Sequence, residues 1–125
     1  MKRILIIDDD EGFSDFLKIN LELRGDYECM VASGGEEGLK MANDNNLDLI
    51  LLDIMMPGID GFEVLKRLKA NDKTKNIPVI MLTAKGDDDS MIKALKLHDD
   101  GYIMKPLKIE ELEEKIEDLL GGMTE

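Results

Sequence analysis

Short apolar runs alternate along the chain with stretches in which apolar residues recur at helical spacing. Ile4 to Ile7 is a continuous apolar run, the pattern of a strand buried on both faces. Phe13, Phe16, Leu17 and Leu21 follow at helical spacing, and that pattern stops at Gly25. Tyr27 to Ala32 reads as a weaker strand with Cys29 and Val31 on one face. Gly35 to Asn43 predicts a short helix, which Gly38 in its interior should weaken. Leu49 to Leu52 is a second buried run, and Pro57-Gly58 and Asp60-Gly61 mark a turn-rich loop. Phe62, Leu65 and Leu68 give the next helix face, and Val79 to Leu82 a third buried run. Asp87, Asp88 and Asp89 open a helix carrying Met91, Ile92, Leu95 and Leu97, because acids there complement the helix dipole. Ile103 and Met104 belong to a short last strand. Ile109, Leu112, Ile116, Leu119 and Leu120 form a last helix ending at Gly121-Gly122. This alternation predicts an α/β fold, a parallel sheet with helices on both faces. Residues 1–120 read as one domain and 121–125 as a tail or the start of a linker, with no internal repeat.

Composition narrows the picture. A chain of 125 residues fits one domain, and 43% hydrophobic residues exclude a disordered chain. No apolar run approaches the ~20 residues of a membrane span. The run after Met1-Lys2-Arg3 meets three aspartates at once, which argues against export. A single cysteine, Cys29, forms no internal disulfide and fits a cytoplasmic location. Its expected role is buried packing, and the nine methionines read as core filler. The net charge of −12 argues against direct nucleic-acid binding by this domain. It suits cations or basic protein surfaces, and it keeps the chain soluble.

Polar residues gather just past the C-terminal ends of the apolar runs. Asp8 and Asp9 follow Ile7, Asp53 follows Leu52, Thr83 follows Leu82, and Lys105 follows Met104. Singly, each has a plain explanation: Asp9 or Asp10 as a helix cap, Asp53 in a turn, Thr83 at a strand end, Lys105 as a surface charge. Jointly they occupy the edge of an open α/β sheet where ligands bind. Three carboxylates repel one another and any incoming phosphate; a magnesium ion and one lysine offset that charge. An aspartate whose pKa lies near ~3.9 is ionised at neutral pH and can attack phosphorus directly. Phosphoryl transfer needs mainly positioning and charge neutralisation.

The stretches Ile4-Leu5-Ile6-Ile7-Asp8-Asp9-Asp10, Leu51-Leu52-Asp53-Ile54-Met55-Met56-Pro57-Gly58-Ile59-Asp60-Gly61, Met81-Leu82-Thr83-Ala84 and Gly101-Tyr102-Ile103-Met104-Lys105-Pro106 carry a resemblance. In this order and spacing, the chain to about Leu120 resembles bacterial response-regulator receiver domains of the CheY-like superfamily. The resemblance implies a flavodoxin-like (βα)5 doubly wound sheet with strand order 2-1-3-4-5. It implies phosphorylation on Asp53, with Lys105 pairing with a phosphoryl oxygen and the Thr83 hydroxyl bonding another in the active state. It implies Mg²⁺, for which Mn²⁺ could substitute, held by Asp9, Asp53 and the Met55 backbone carbonyl, with Asp8 acting through water. Tyr102 would be the switch aromatic, and the Lys105-Pro106 bond would be cis. The implied phosphodonor is a sensor histidine kinase or a histidine phosphotransfer protein. The output is a downstream protein partner or effector domain, read by the last two helices and the strand between them. The chain would be a monomer or a weak phosphorylation-dependent dimer, and no enzyme beyond its own phosphorylation and dephosphorylation.

Some positions depart from that pattern. His98-Asp99 stands where Gly-Ala is frequent, Gly38 where alanine is common, and Leu107 where phenylalanine is frequent. Glu117 in the very acidic last helix stands where an arginine would serve a charged dimer interface. Met55 and Lys85 lie two positions after Asp53 and Thr83, flanking the path of attacking water. Neither can activate that water well, so slow self-dephosphorylation is expected. Two other readings compete: the receiver part of a longer regulator or hybrid kinase, and a Mg²⁺-dependent phosphohydrolase with an aspartyl nucleophile. The latter needs a second aspartate where Met55 stands.

Overall fold

The computed structural model describes residues 1–84 and 101–121. The expected helix from Asp87, Lys85 and the His98-Asp99 departure lie outside them. Five strands form one parallel sheet: β1 (Lys2–Ile7), β2 (Tyr27–Ala32), β3 (Leu49–Asp53), β4 (Val79–Thr83) and β5 (Tyr102–Met104). The order is β2-β1-β3-β4-β5. Four helices are described: α1 (Glu11–Leu23), α2 (Gly35–Asp44), α3 (Gly61–Ala70) and α4 (Ile109–Leu120).

Because successive strand residues point to opposite faces, each apolar run feeds two cores. Ile4, Ile6, Leu49, Leu51, Ile80 and Leu82 pack with Leu17 and Leu21 of α1 and Leu112 and Ile116 of α4. Leu5, Ile7, Ile50, Leu52, Val79 and Met81 pack with Ala42 of α2 and Val64, Leu65 and Leu68 of α3. Helices therefore cover both faces, which explains why the strands read as unbroken apolar runs rather than alternating ones.

Local signals set the boundaries. Asp10 is the N-cap of α1, its carboxylate accepting from the Phe13 N–H at 3.1 Å, and Asp60 caps α3 through the Glu63 N–H at 3.0 Å. Gly25, at φ 89°, takes the left-handed conformation just beyond α1.

Two expectations need correction. Phe16 is not on the buried stripe of α1: it is 44% exposed, while Ser14 is fully buried beside Leu17 and Leu21. The 14-17-21 spacing is the true core stripe, and the Ser14 hydroxyl tolerates burial by donating to the Asp8 carbonyl at 3.5 Å. Nor are the methionines uniformly core filler: Met56 and Met81 are buried, but Met1, Met55 and Met104 are exposed. Gly38, inside the continuous helix α2, has a packing reason to be there. A Cβ there would lie 2.5 Å from Cδ1 of the buried Ile7, so glycine lets α2 approach β1. Cys29 is buried as expected, and burial, with Glu22 adding, pushes its thiol up to about 12, leaving it unreactive. Among the described residues no helix is long and apolar enough to cross a membrane.

Candidate functional site

All the strands run parallel, and the order in which they are added reverses between β1 and β3; α/β sheets bind ligands beyond the carboxyl ends of the strands at such a point. Register aligns the ends. Ile7 pairs with Leu52, Asp53 with Leu82, and Thr83 with Met104. The residues that follow each strand therefore emerge together at one edge of the sheet.

Asp8, Asp9 and Asp53 meet there, each offering a carboxylate oxygen within 4.8 Å of the others. Asp8 is 1% exposed and Asp53 6%, whereas Asp9 is exposed. Lys105 reaches in from the end of β5. Its ammonium donates to Asp8 Oδ2 at 3.0 Å and to Asp53 Oδ1 at 3.3 Å. The other Asp8 oxygen accepts from the Asp10 N–H at 2.9 Å, tying the acid pair to the cap of α1. The Lys105 backbone N–H donates to the Thr83 carbonyl at 2.6 Å, and the Lys105-Pro106 peptide is cis.

Charge is unbalanced in this pocket. Burial first, and the Asp8 charge second, push the Asp53 carboxyl up to about 6; Lys105 pulls it down and Asp9 raises it again. For Lys105, burial favours the neutral amine, but the Asp8 hydrogen bond and the Asp53 charge outweigh it and hold the group above the ordinary lysine range. Three acids against one fixed cation leave an excess of negative charge. A close set of hard carboxylate oxygens with that excess fits a small divalent cation such as Mg²⁺ or Mn²⁺.

The remaining expected residues are on β4, on β5 and in the loop after β3. Thr83 is buried at the end of β4, its hydroxyl donating to the Ile103 carbonyl at 3.4 Å. Tyr102 is half-buried on β5, against the core under α2 and α3. Met55 sits in the loop after β3 with its side chain 62% exposed.

Two contributors were not anticipated. The Phe13 ring lies under the Lys105 ammonium, 4.2 Å from nitrogen to centroid. Its place in the first turn of α1, shortly after Asp9, was the available signal. Gly61 packs directly on the end of β3: a Cβ there would collide with the Asp53 carbonyl oxygen, and its N–H donates to the Ile54 carbonyl at 2.8 Å. The Asp60-Gly61 pair read as a turn; its glycine in fact serves this close approach.

Comparison with known proteins bears on the same residues. The family model described as "Response regulator receiver domain" matches residues 4–117. The chain is 43% identical over 120 residues to the DNA-binding dual master transcriptional regulator RpaA of Synechocystis, an alignment covering 96% of this chain and 49% of that protein. It is 41% identical over 119 residues to the phosphate regulon transcriptional regulatory protein PhoB of Pseudomonas aeruginosa, covering 95% of this chain and 52% of that protein. The chain thus spans about half the length of these curated relatives. Its backbone superposes on a CheY-like response regulator receiver domain protein from Methanospirillum hungatei with a TM-score of 0.88 at 34% identity, covering 99% of this chain and 97% of that one. Strand order, the acidic edge and matches along nearly the whole length agree: this chain belongs to the response regulator receiver domain family of two-component signalling.

Proposed function

We propose that Asp53 accepts a phosphoryl group from a phosphohistidine on a sensor histidine kinase or a histidine phosphotransfer protein, and that this switches the surface offered to a downstream partner. The observation that carries the reading is the Lys105 ammonium lying 3.0 Å from Asp8 and 3.3 Å from Asp53 within a cluster of three carboxylates. The family consists of signalling proteins rather than turnover enzymes, and the chemistry proposed is confined to the chain's own phosphorylation and dephosphorylation.

An oxygen of ionised Asp53 attacks phosphorus; the P–N bond breaks and its electron pair returns to the imidazole. Lys105 holds charge against a phosphoryl oxygen, turning from the carboxylates it bonds now. Asp9, Asp53 and the Met55 backbone carbonyl would hold the divalent ion, with Asp8 acting through water. When bound, that ion supplies positive charge against the phosphoryl oxygens and so relieves the repulsion among the acids. The Thr83 hydroxyl, now on the Ile103 carbonyl, would leave β5 to donate to the phosphoryl group, and Tyr102 would turn inward as it moves. The phosphoryl group then favours the arrangement in which both have moved, a shift of population between two states. Residues 1–120 constitute this unit, acting in the cytoplasm as a monomer or a weak phosphorylation-dependent dimer, with 121–125 as a tail or linker.

Incubation with acetyl phosphate, with and without Mg²⁺, followed by intact mass measurement, tests this. Wild type should gain one phosphoryl group only with metal, and Asp53→Asn none; metal-independent labelling, or labelling of the variant, refutes it. A second reading, the receiver part of a longer regulator with an effector domain, is favoured by the half-length match to RpaA and PhoB. The reading frame beyond codon 125 decides it.

A further inference from the structure

We propose that Phe13 is a positioning residue for Lys105, its ring face seating the ammonium between Asp8 and Asp53. Its kinetic part rests on the acceptor reading above; the contact itself does not. A lysine ammonium is a compact charge on a stem with several rotatable bonds, and two hydrogen bonds alone leave it room to swing. Here two of its donors serve Asp8 and Asp53. The Phe13 centroid is 4.2 Å from the same nitrogen, well inside the range in which the negative face of an aromatic ring attracts a cation.

The ring is itself held. Phe13 lies in the first turn of α1, where its N–H donates to the Asp10 cap at 3.1 Å. It packs against the core under α1 and α4 and stacks on Phe16, centroids 6.4 Å apart at 27°. The Asp10 N–H in turn donates to Asp8. One short segment, Asp8 to Phe13, thus supplies both a carboxylate partner and an aromatic seat for the same cation.

An aromatic face suits this place better than another acid. The pocket already gathers three carboxylates. A fourth would steady the ammonium but repel an incoming phosphoryl group; a ring quadrupole steadies it without adding formal charge. Attraction to a ring face is also less directional than a hydrogen bond. The ammonium can therefore turn from a carboxylate toward a phosphoryl oxygen while keeping the ring beneath it.

Two readouts test the proposal on the 125-residue chain. In metal-free protein, the Lys105 ε-methylene protons should resonate upfield because of the ring current. Phe13→Leu should return them to ordinary lysine positions, and Phe13→Tyr or Phe13→Trp should preserve the displacement. Separately, phenylalanine at position 13 is replaced by mono-, di- and trifluorinated analogues, which keep its shape while draining its face of electron density. The rate of phosphorylation by phosphoramidate with Mg²⁺ should fall stepwise, by about threefold to tenfold at the end of the series, with Phe13→Tyr retaining the wild-type rate. Unmoved Lys105 resonances in Phe13→Leu, or a flat rate across the fluorinated series, would overturn the proposal. A wild type that takes no phosphate would refute the acceptor reading instead, and the resonances alone would then decide the contact.

Discussion

At the scale of single residues, the Asp53 carboxyl is held in a costly state. Its pKa of about 6, raised by burial and then by Asp8, means that the folded, metal-free chain keeps Asp53 protonated at pH values where the unfolded chain has ionised it. The sign follows from linkage: between the ordinary value of 3.8 and about 6 the folded state binds more protons, so stability declines as pH rises through that window. Above it the full penalty applies. With chelator present, Asp53→Asn should stabilise the protein at pH 7.5 by ~1–3 kcal/mol, and the gain should vanish towards pH 4. Thermal melts of both proteins across that range check this, and an unchanged or lowered midpoint at pH 7.5 contradicts it. Met55 makes a second residue-scale case. Its exposed thioether cannot orient water by a strong hydrogen bond, so phosphorylated protein should lose its phosphate slowly. A Met55→Asn, Lys85→Glu double variant should lose it at least about fivefold faster, the equivalent of one added hydrogen bond of ~1 kcal/mol. Phosphate release after donor removal measures both, and equal rates would end the idea. Asp8, Asp9, Asp53, Thr83 and Lys105 were legible because their residue types sit at strand ends. Phe13 and Ser14 were not, because apolar spacing cannot tell a ring that meets a cation from one that fills a core, nor flag a serine on a buried stripe.

At the scale of elements, legibility followed burial. β1, β3 and β4 are enclosed on both faces, and their apolar runs marked them clearly. α1 began one residue after its cap, with Asp10 settling the choice between two neighbouring acids. α2 shows where propensity misleads. Glycine inside a helix costs about 1 kcal/mol relative to alanine, so propensity alone makes Gly38→Ala stabilising. Yet the added methyl would meet three carbons of Ile7, at 2.5, 2.8 and 3.0 Å, and that side chain is fully buried. Overpacking of this kind costs ~1–3 kcal/mol and outweighs the propensity gain. Gly38→Ala should therefore destabilise the fold by ~1 kcal/mol in urea unfolding; a gain in stability would show that α2 can shift outward without loss.

At the scale of the whole molecule, periodicity established an α/β alternation but not the order of the strands, since spacing along a chain carries no information about which strand neighbours which. The order came through the resemblance, whose motifs fall at the tips of β1, β3, β4 and β5. The negative charge of the chain likewise gained meaning only with the fold, which gathers three of its acids into a 4.8 Å cluster and leaves those of α4 mostly exposed. One link in that cluster reaches furthest. Lys105 and Asp8 stand 97 positions apart and meet only when the first and last strands have both taken their places in the sheet. Under the function proposed above, a nascent or partly melted chain would lack this assembled lysine and acid pair, so loading would await the finished molecule and maturation would act as its own licence to signal.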